Sequence, residues 1–255
     1  MPKAENYKHL PTEFIPISWK ARSNIADLGS GRILGEEYHL NLEIAVHPNK
    51  SGKIIINYPG LLGSREGFKN KYQKLAQYMQ GEGLGAVIRA HGPGFPSFAG
   101  FTDDVLLRRV LTYALENTLN ICGTKNPEIF MVGTSAGAGA VAASAAESEN
   151  VKKILLIAPG ANIGLKALIK GLKLFKGEVC IVIGEDDENV GASNGQYFYD
   201  FASGASYRKI FFIPNCDHQF TGKTNGKILS RAPFYAFAEG KRPNFPDPEN
   251  GIILY

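Results

Sequence analysis

From Lys53 onward the chain repeats one texture: six or seven mostly apolar residues, then a stretch with helical spacing. The apolar runs are KIIINY (Lys53–Tyr58), GAVIRA (Gly85–Ala90), EIFMVG (Glu128–Gly133), KKILLIA (Lys152–Ala158), EVCIVIG (Glu178–Gly184) and RKIFFIP (Arg208–Pro214). Between and after them the spacing predicts helices near Lys69–Gly81, Asp103–Asn117, the Ala-rich stretch beyond Gly133, Ile163–Phe175, Gly195–Ala202 and Gly226–Glu239. In the second of these, Val105, Leu106, Val110, Leu111 and Ala114 share one face. An uninterrupted apolar run has no side suited to water, so such a strand must be covered on both faces. Helices alternating with parallel strands provide that cover. Ahead of this series, FIPISWKA (Phe14–Ala21) and YHLNLEIAV (Tyr38–Val46) read as two antiparallel strands. The expected fold class is therefore α/β, a mostly parallel, doubly wound sheet of about eight strands with helices on both faces. It forms a single domain over residues 1–255, with a short proline-rich tail, Lys241–Tyr255.

Composition narrows the function classes. A chain of 255 residues with 44% hydrophobic content can fill such a core. Its net charge of +4 is spread thinly, and no run of Lys or Arg exceeds two residues. Nucleic-acid binding calls for a clustered basic stripe, so no nucleic-acid partner is expected. No segment approaches the ~20 apolar residues of a membrane span. The opening MPKAENYKHLPTEF lacks the apolar core of a signal peptide. Cys122, Cys180 and Cys216 have no metal-like spacing and read as free thiols, which points to a cytoplasmic protein with no metal. Cys216, close to a loop histidine, is expected to be partly exposed. The sequence carries no signature of a particular oligomeric state.

The glycine-rich stretch MVGTSAGAGAVAA (Met131–Ala143) invites a nucleotide-binding reading, which fails. Gly137-x-Gly139-x-x-Ala142 lacks the acidic residue that a dinucleotide site needs about 20 positions later, where the chain reads LLIAPGAN. Gly222-Lys223-Thr224 resembles the end of a P-loop, but the glycine required five positions before Gly222 is Asp217. HGPG (His91–Gly94) reads as a turn only. No cofactor is implied.

The same stretch places Ser135 between Gly133 and Gly137, where an apolar strand stops and a small-residue helix starts. A Gly-x-Ser-x-Gly match is expected by chance roughly 0.2 times in a chain of this composition, so context must decide. A serine held on a sharp strand–helix turn needs small neighbours, because the backbone crowds itself there. It also needs a base to take its proton and a carboxylate to orient that base. Downstream, Asp186 and Asp187 follow the strand EVCIVIG, and His218 follows RKIFFIP in NCDHQF. All three groups fall at the C-terminal edge of the same sheet.

At this point the chain resembles the α/β-hydrolase family, over about Tyr38–Glu239. The serine–acid–histidine order matches, and each member follows a different strand. The acid loop Gly184-Glu185-Asp186-Asp187 is similar to the family's, whose acid usually lies three positions after the glycine. The resemblance thus implies Asp187 rather than Asp186. Asp217-His218-Gln219-Phe220 is similar to the histidine loop of small esterases and dienelactone-hydrolase-like members. The resemblance also implies two oxyanion donors, the backbone N–H of Ala136 and that of Leu61. The second lies in INYPGLLGSREGF, with Pro59 where the family usually has histidine and Leu62 where it commonly has glycine. Only about 19 residues separate Ala158 from Glu178, so the large lid of many members is not expected. Tyr58, Leu61, Leu62, Phe220 and the aromatic loop with Phe95, Phe98 and Phe101 are then candidate pocket walls. What the resemblance implies is a lidless serine esterase acting on small-molecule carboxylic esters or thioesters. A peptidase or acyltransferase with the same three residues, or a hydrolase-fold binding protein without catalysis, are the alternatives.

Overall fold

Eight strands make one sheet in the order β1-β2-β4-β3-β5-β6-β7-β8. This is seen in a computed structural model that describes residues 12–20, 37–93 and 105–255. The strands are β1 (Thr12–Lys20), β2 (Glu37–His47), β3 (Lys53–Tyr58), β4 (Ala86–Ala90), β5 (Glu128–Thr134), β6 (Val151–Ile157), β7 (Glu178–Gly184) and β8 (Tyr207–Ile213). β1 pairs antiparallel with β2, and β2 antiparallel with β4; every other neighbouring pair is parallel.

Among the described residues seven α-helices accompany them: α1 (Lys71–Gly81), α2 (Val105–Glu116), α3 (Thr118–Cys122), α4 (Ala136–Ser144), α5 (Leu165–Leu174), α6 (Ser193–Phe201) and α7 (Lys223–Ala236). The apolar runs divide residue by residue between two cores, as a period of two requires. Ile54, Ile56, Ile129, Met131, Val179 and Ile181 face α2, α4, α5 and α6. Ile55, Phe130, Val132, Cys180 and Val182 face α1 and α7. One helix differs from expectation. The second helical pattern ends at Glu116, and α3 follows as a separate short turn closed by Gly123 at φ 82°. Five residues are too few to show a 3.6-residue period, so nothing in the spacing announces it.

β4 lies on one side of β3 and β5 on the other, so the direction of winding reverses between β3 and β5. Loops leaving the C-terminal ends of these two strands diverge to opposite faces and leave a crevice between them. The predicted nucleophile leaves β5, and the predicted oxyanion loop leaves β3. Between β6 and β7 there is α5 and no inserted lid domain.

Candidate active site

Ser135 sits between β5 and α4 at φ 55°, ψ −122°, a conformation that L-residues rarely occupy. The surrounding backbone over-determines it. The Ser135 N–H donates to the Ile157 carbonyl at 2.9 Å, while its own carbonyl accepts from the N–H groups of Ala138 and Gly160, both at 3.0 Å. The flanking glycines are required by contact. A Cβ at Gly133 would lie 2.5 Å from the Ala138 Cα, and one at Gly137 would lie 2.1 Å from the Pro59 carbonyl oxygen. The crowding expected from the sequence is thus present on both sides.

His218 reaches this serine from the loop after β8. Its Nε2 is 3.1 Å from Ser135 Oγ, and its Nδ1 is 2.8 Å from Asp187 Oδ2. A carboxylate only accepts, so Nδ1 carries the proton, and Nε2 is left to accept from the serine hydroxyl. The other oxygen of Asp187 accepts from the backbone N–H groups of Asn189 and Val190 at 3.0 and 3.1 Å. The Asp187 side chain is fully buried, whereas Glu185, Asp186 and Glu188 are exposed. Of the acids in this loop, Asp187 is the one brought to the histidine. The loop's placement has a cause, since Glu185 and Asp186 donate their N–H groups to the carbonyls of Ile213 and Cys216.

The two predicted oxyanion donors flank the serine. Ala136 opens α4, where an N-terminal N–H has no partner within the helix. Neither the Ala136 N–H nor the Leu61 N–H donates a hydrogen bond among the described residues. Gly60 packs on Ser135: a Cβ there would lie 3.0 Å from Ser135 Cβ and 3.6 Å from its Oγ. Leu62 adopts φ 55°. That left-handed conformation is one that a glycine would adopt without steric cost.

Two expectations about side chains need correction. Tyr58 is a core residue at 0% exposure, not a pocket wall, because its position points it into one of the two cores that flank the sheet. Phe220 is also buried, and it does line a small cavity together with His218, Asn57, Lys71 and Tyr72. Cys216 is buried, not partly exposed: the left-handed Asn215 precedes it, and its carbonyl is gripped by the acid loop. Burial, aided by Asp217, Asp187 and Asp186, pushes its thiol up to about 12. Leu61 and Leu62 do stay exposed beside the serine. Phe95, Phe98 and Phe101 lie outside the described residues. All three cysteines are free. Among the described residues no group of His, Cys, Asp and Glu is arranged to hold a metal, and no helix is long and apolar enough to cross a membrane.

What sequence reasoning missed is the support of the predicted oxyanion loop. Leu62 N–H donates to the Pro93 carbonyl and Gly92 N–H to the Gly63 carbonyl, each at 2.8 Å. Arg65 N–H donates to His91 Nδ1 at 3.1 Å, and Arg89 Nη1 donates to the Arg65 carbonyl at 2.9 Å. His91, Gly92 and Pro93 are therefore the seat of this loop. The only sequence signal was an arginine inside an otherwise apolar strand, AVIRA.

A sheet of this order, with a serine on a strained turn after β5 and a histidine after the last strand, has the α/β-hydrolase fold. Solved structures agree. Est1E from Butyrivibrio proteoclasticus is similar at a TM-score of 0.61 and 17% identity, over 76% of this chain and 92% of that one. A further structure of Est1E carries bound ferulic acid. The dienelactone hydrolase from Anabaena variabilis is similar at a TM-score of 0.60 and 19% identity, over 86% of this chain and 94% of that one. The Pyrococcus furiosus esterase Pf2001 gives a TM-score of 0.56 and 14% identity, over 79% and 84% of the two chains. No protein-family model matches the sequence, and no curated protein matches it.

Proposed function

We propose that the protein is a serine hydrolase that cleaves small carboxylic esters, thioesters included, through an acyl-enzyme. The observation that carries this reading is the hydrogen-bonded chain Ser135 Oγ–His218 Nε2 and His218 Nδ1–Asp187 Oδ2, mounted on a strained strand–helix turn. Ser135 Oγ attacks the ester carbonyl as its proton passes to His218 Nε2. The N–H groups of Leu61 and Ala136 stabilise the tetrahedral oxyanion, a task for which preorganised donors are suited. Collapse breaks the bond to the leaving alkoxide, which takes the proton from His218. Water then attacks the acyl-enzyme, giving its proton to the same nitrogen, and the acid is released as Ser135 Oγ is reprotonated. Asp187 holds the ring in the tautomer that this sequence needs and stabilises the imidazolium.

The fold is shared with esterases and a dienelactone hydrolase, which supports ester chemistry. Without a lid domain between β6 and β7, the acyl group rests on loops such as the one with exposed Leu61 and Leu62. Each methylene adds ~0.8 kcal/mol only where an apolar wall covers it, so kcat/KM for aryl esters should peak at short acyl chains, roughly C2 to C6. A steady rise through long chains, with activation by micelles, would contradict the lidless site. The decisive test is mass analysis of intact protein after treatment with a fluorophosphonate. A single adduct that disappears in Ser135→Ala is expected, together with loss of ester turnover. A wild-type protein that neither labels nor turns over aryl esters would be a binding protein on this fold.

A further inference from the structure

The loop that would aim the Leu61 N–H is short, exposed at Leu61 and Leu62, and strained at Leu62; main-chain bonds tie Leu62 and Gly63 to Pro93 and Gly92, and the chain that follows at Arg65 is held by side chains. A cluster of buried polar side chains behind it, from β2, β4 and the loop after β4, has no part in the reaction described above. Arg89, on β4, is 3% exposed and His91 is 6% exposed. Burying a guanidinium costs several kcal/mol unless its N–H groups are well used, and such a group adds little to stability that an apolar residue would not. Arg89 spends its donors on particular acceptors. Its Nε donates to His47 Nε2 at 2.9 Å and its Nη1 to the Arg65 carbonyl at 2.9 Å, with Glu66 Oε1 at 3.5 Å. His91 takes the other backbone group of Arg65, accepting its N–H at Nδ1. Both polar groups of one loop residue are thus held by buried side chains of the neighbouring strand's end. A Cβ at Gly92 would fall 2.2 Å from the Gly60 carbonyl oxygen, so the seat is in direct contact with the turn itself.

We propose that Arg89 and His91 are positioning residues of the oxyanion site, clamping Arg65 so that the Gly60–Gly63 turn presents the Leu61 N–H to the substrate carbonyl. This rests on the hydrolase reading above. The clamp requires His91 to accept at Nδ1, hence to carry its proton on Nε2, which faces Glu43 at 3.6 Å. Burial, and next the Arg65 guanidinium, lower the His91 pKa, which keeps Nδ1 able to accept at neutral pH; the charges of Glu43 and Glu66 oppose that shift. Leu61 lies four residues from the clamped backbone, and small errors of aim in an oxyanion donor are costly.

The test compares His91→Asn with His91→Gln and His91→Leu. The Asn Oδ1 stands where Nδ1 does, whereas the Gln amide reaches only the position of Nε2. In His91→Leu and His91→Gln, kcat for a short aryl ester should fall by ~10²-fold with KM within about threefold, as expected for loss of one oxyanion donor. The inhibition constant of an aryl trifluoromethyl ketone, whose adduct with Ser135 bears an oxyanion, should rise in parallel. His91→Asn should recover most of both losses. Arg89→Lys, which keeps the charge but not the fork, should lower kcat in the same sense. If Leu at 91 prevents folding, the Asn–Gln pair makes the comparison alone. Folded Gln and Asn variants with equal kcat and equal ketone affinity would overturn the clamp. A wild-type protein without turnover or labelling would instead overturn the hydrolase reading, so the two failures are distinguishable.

Discussion

The two sides of the candidate site are built by different physics. On the β5 side, Ser135 is held by main chain on main chain: its own N–H and C=O are satisfied, and Gly133 and Gly137 allow backbones to approach to distances that a Cβ would forbid. On the β3 side, the Gly60–Gly63 turn is bonded main chain to main chain to Gly92 and Pro93, and polar side chains, Arg89 and His91, reach across from the neighbouring strand's end to hold the Arg65 backbone that follows it. The first arrangement is steric and indifferent to pH. The second adds titratable and charged groups, so it should respond to acid. A nucleophile must occupy one strained conformation, which sterics alone can enforce. An oxyanion donor must be aimed, and side-chain hydrogen bonds can aim it.

The largest effect should come from the carboxylate that serves the steric side. Asp187→Asn should lower kcat by ~10³–10⁴-fold in a folded protein, because the amide offers a donor and favours the wrong histidine tautomer. Asp186→Asn should cost less than about tenfold, since Asp186 is exposed and solvated. Steady-state kinetics on both variants would settle the ranking, and the reverse order would move the acid. Next, Gly137→Ala places a methyl against the Pro59 carbonyl oxygen, and chemical denaturation should show a loss of about 3 kcal/mol or more. If that loss changed markedly with pH, the β5 side would not be purely steric.

The β3 side should show its dependence through His47, whose Nε2 accepts from Arg89. Burial, and next the Arg89 charge, lower its pKa from 6.5 to about 4. The unfolded chain therefore binds a proton first as pH falls, and stability is lost between pH 6.5 and 4, then levels off below 4. The loss assignable to this group is on the order of 3 kcal/mol. His47→Gln keeps an acceptor without titrating. The gap between wild-type and variant stability should shrink across that window, in the variant's favour, when unfolding is followed at each pH; parallel curves would refute the assignment. The smallest effect belongs to Leu62. A left-handed leucine costs roughly 1–2 kcal/mol, offset in part by the greater unfolded-state freedom of glycine. Leu62→Gly should raise stability by under about 1 kcal/mol, and a clear loss would mean that the Leu62 side chain supports the turn.

The elements of the sheet were legible because each rests on a local rule. Runs such as EVCIVIG must be strands buried on both faces, and the residues of that run do divide between the two cores. Bounds from β3 to β8 fall within a residue or two of the apolar runs. Ser135 was legible for the same reason, since the glycines that permit its turn lie within two residues of it. Asp187 and His218 could be placed at strand ends, although only their burial and approach distinguish them from exposed neighbours such as Asp186. Tyr58 and Cys216 were misjudged, because whether a residue at a strand end or loop faces inward depends on what packs over it.

The sequence by itself determined the α/β alternation and the order of serine, acid and histidine, since periodicity and glycine sterics act over a few residues. The tertiary structure decided what holds the loop after β3. His91 and Arg65 are 26 positions apart, and Arg89 and His47 are 42 apart. They meet only because β4 lies between β2 and β3, running parallel to β3, which brings the ends of β3 and β4 to the same edge of the sheet. Buried polar groups must find partners wherever strand order puts them, and strand order is a property of the whole chain.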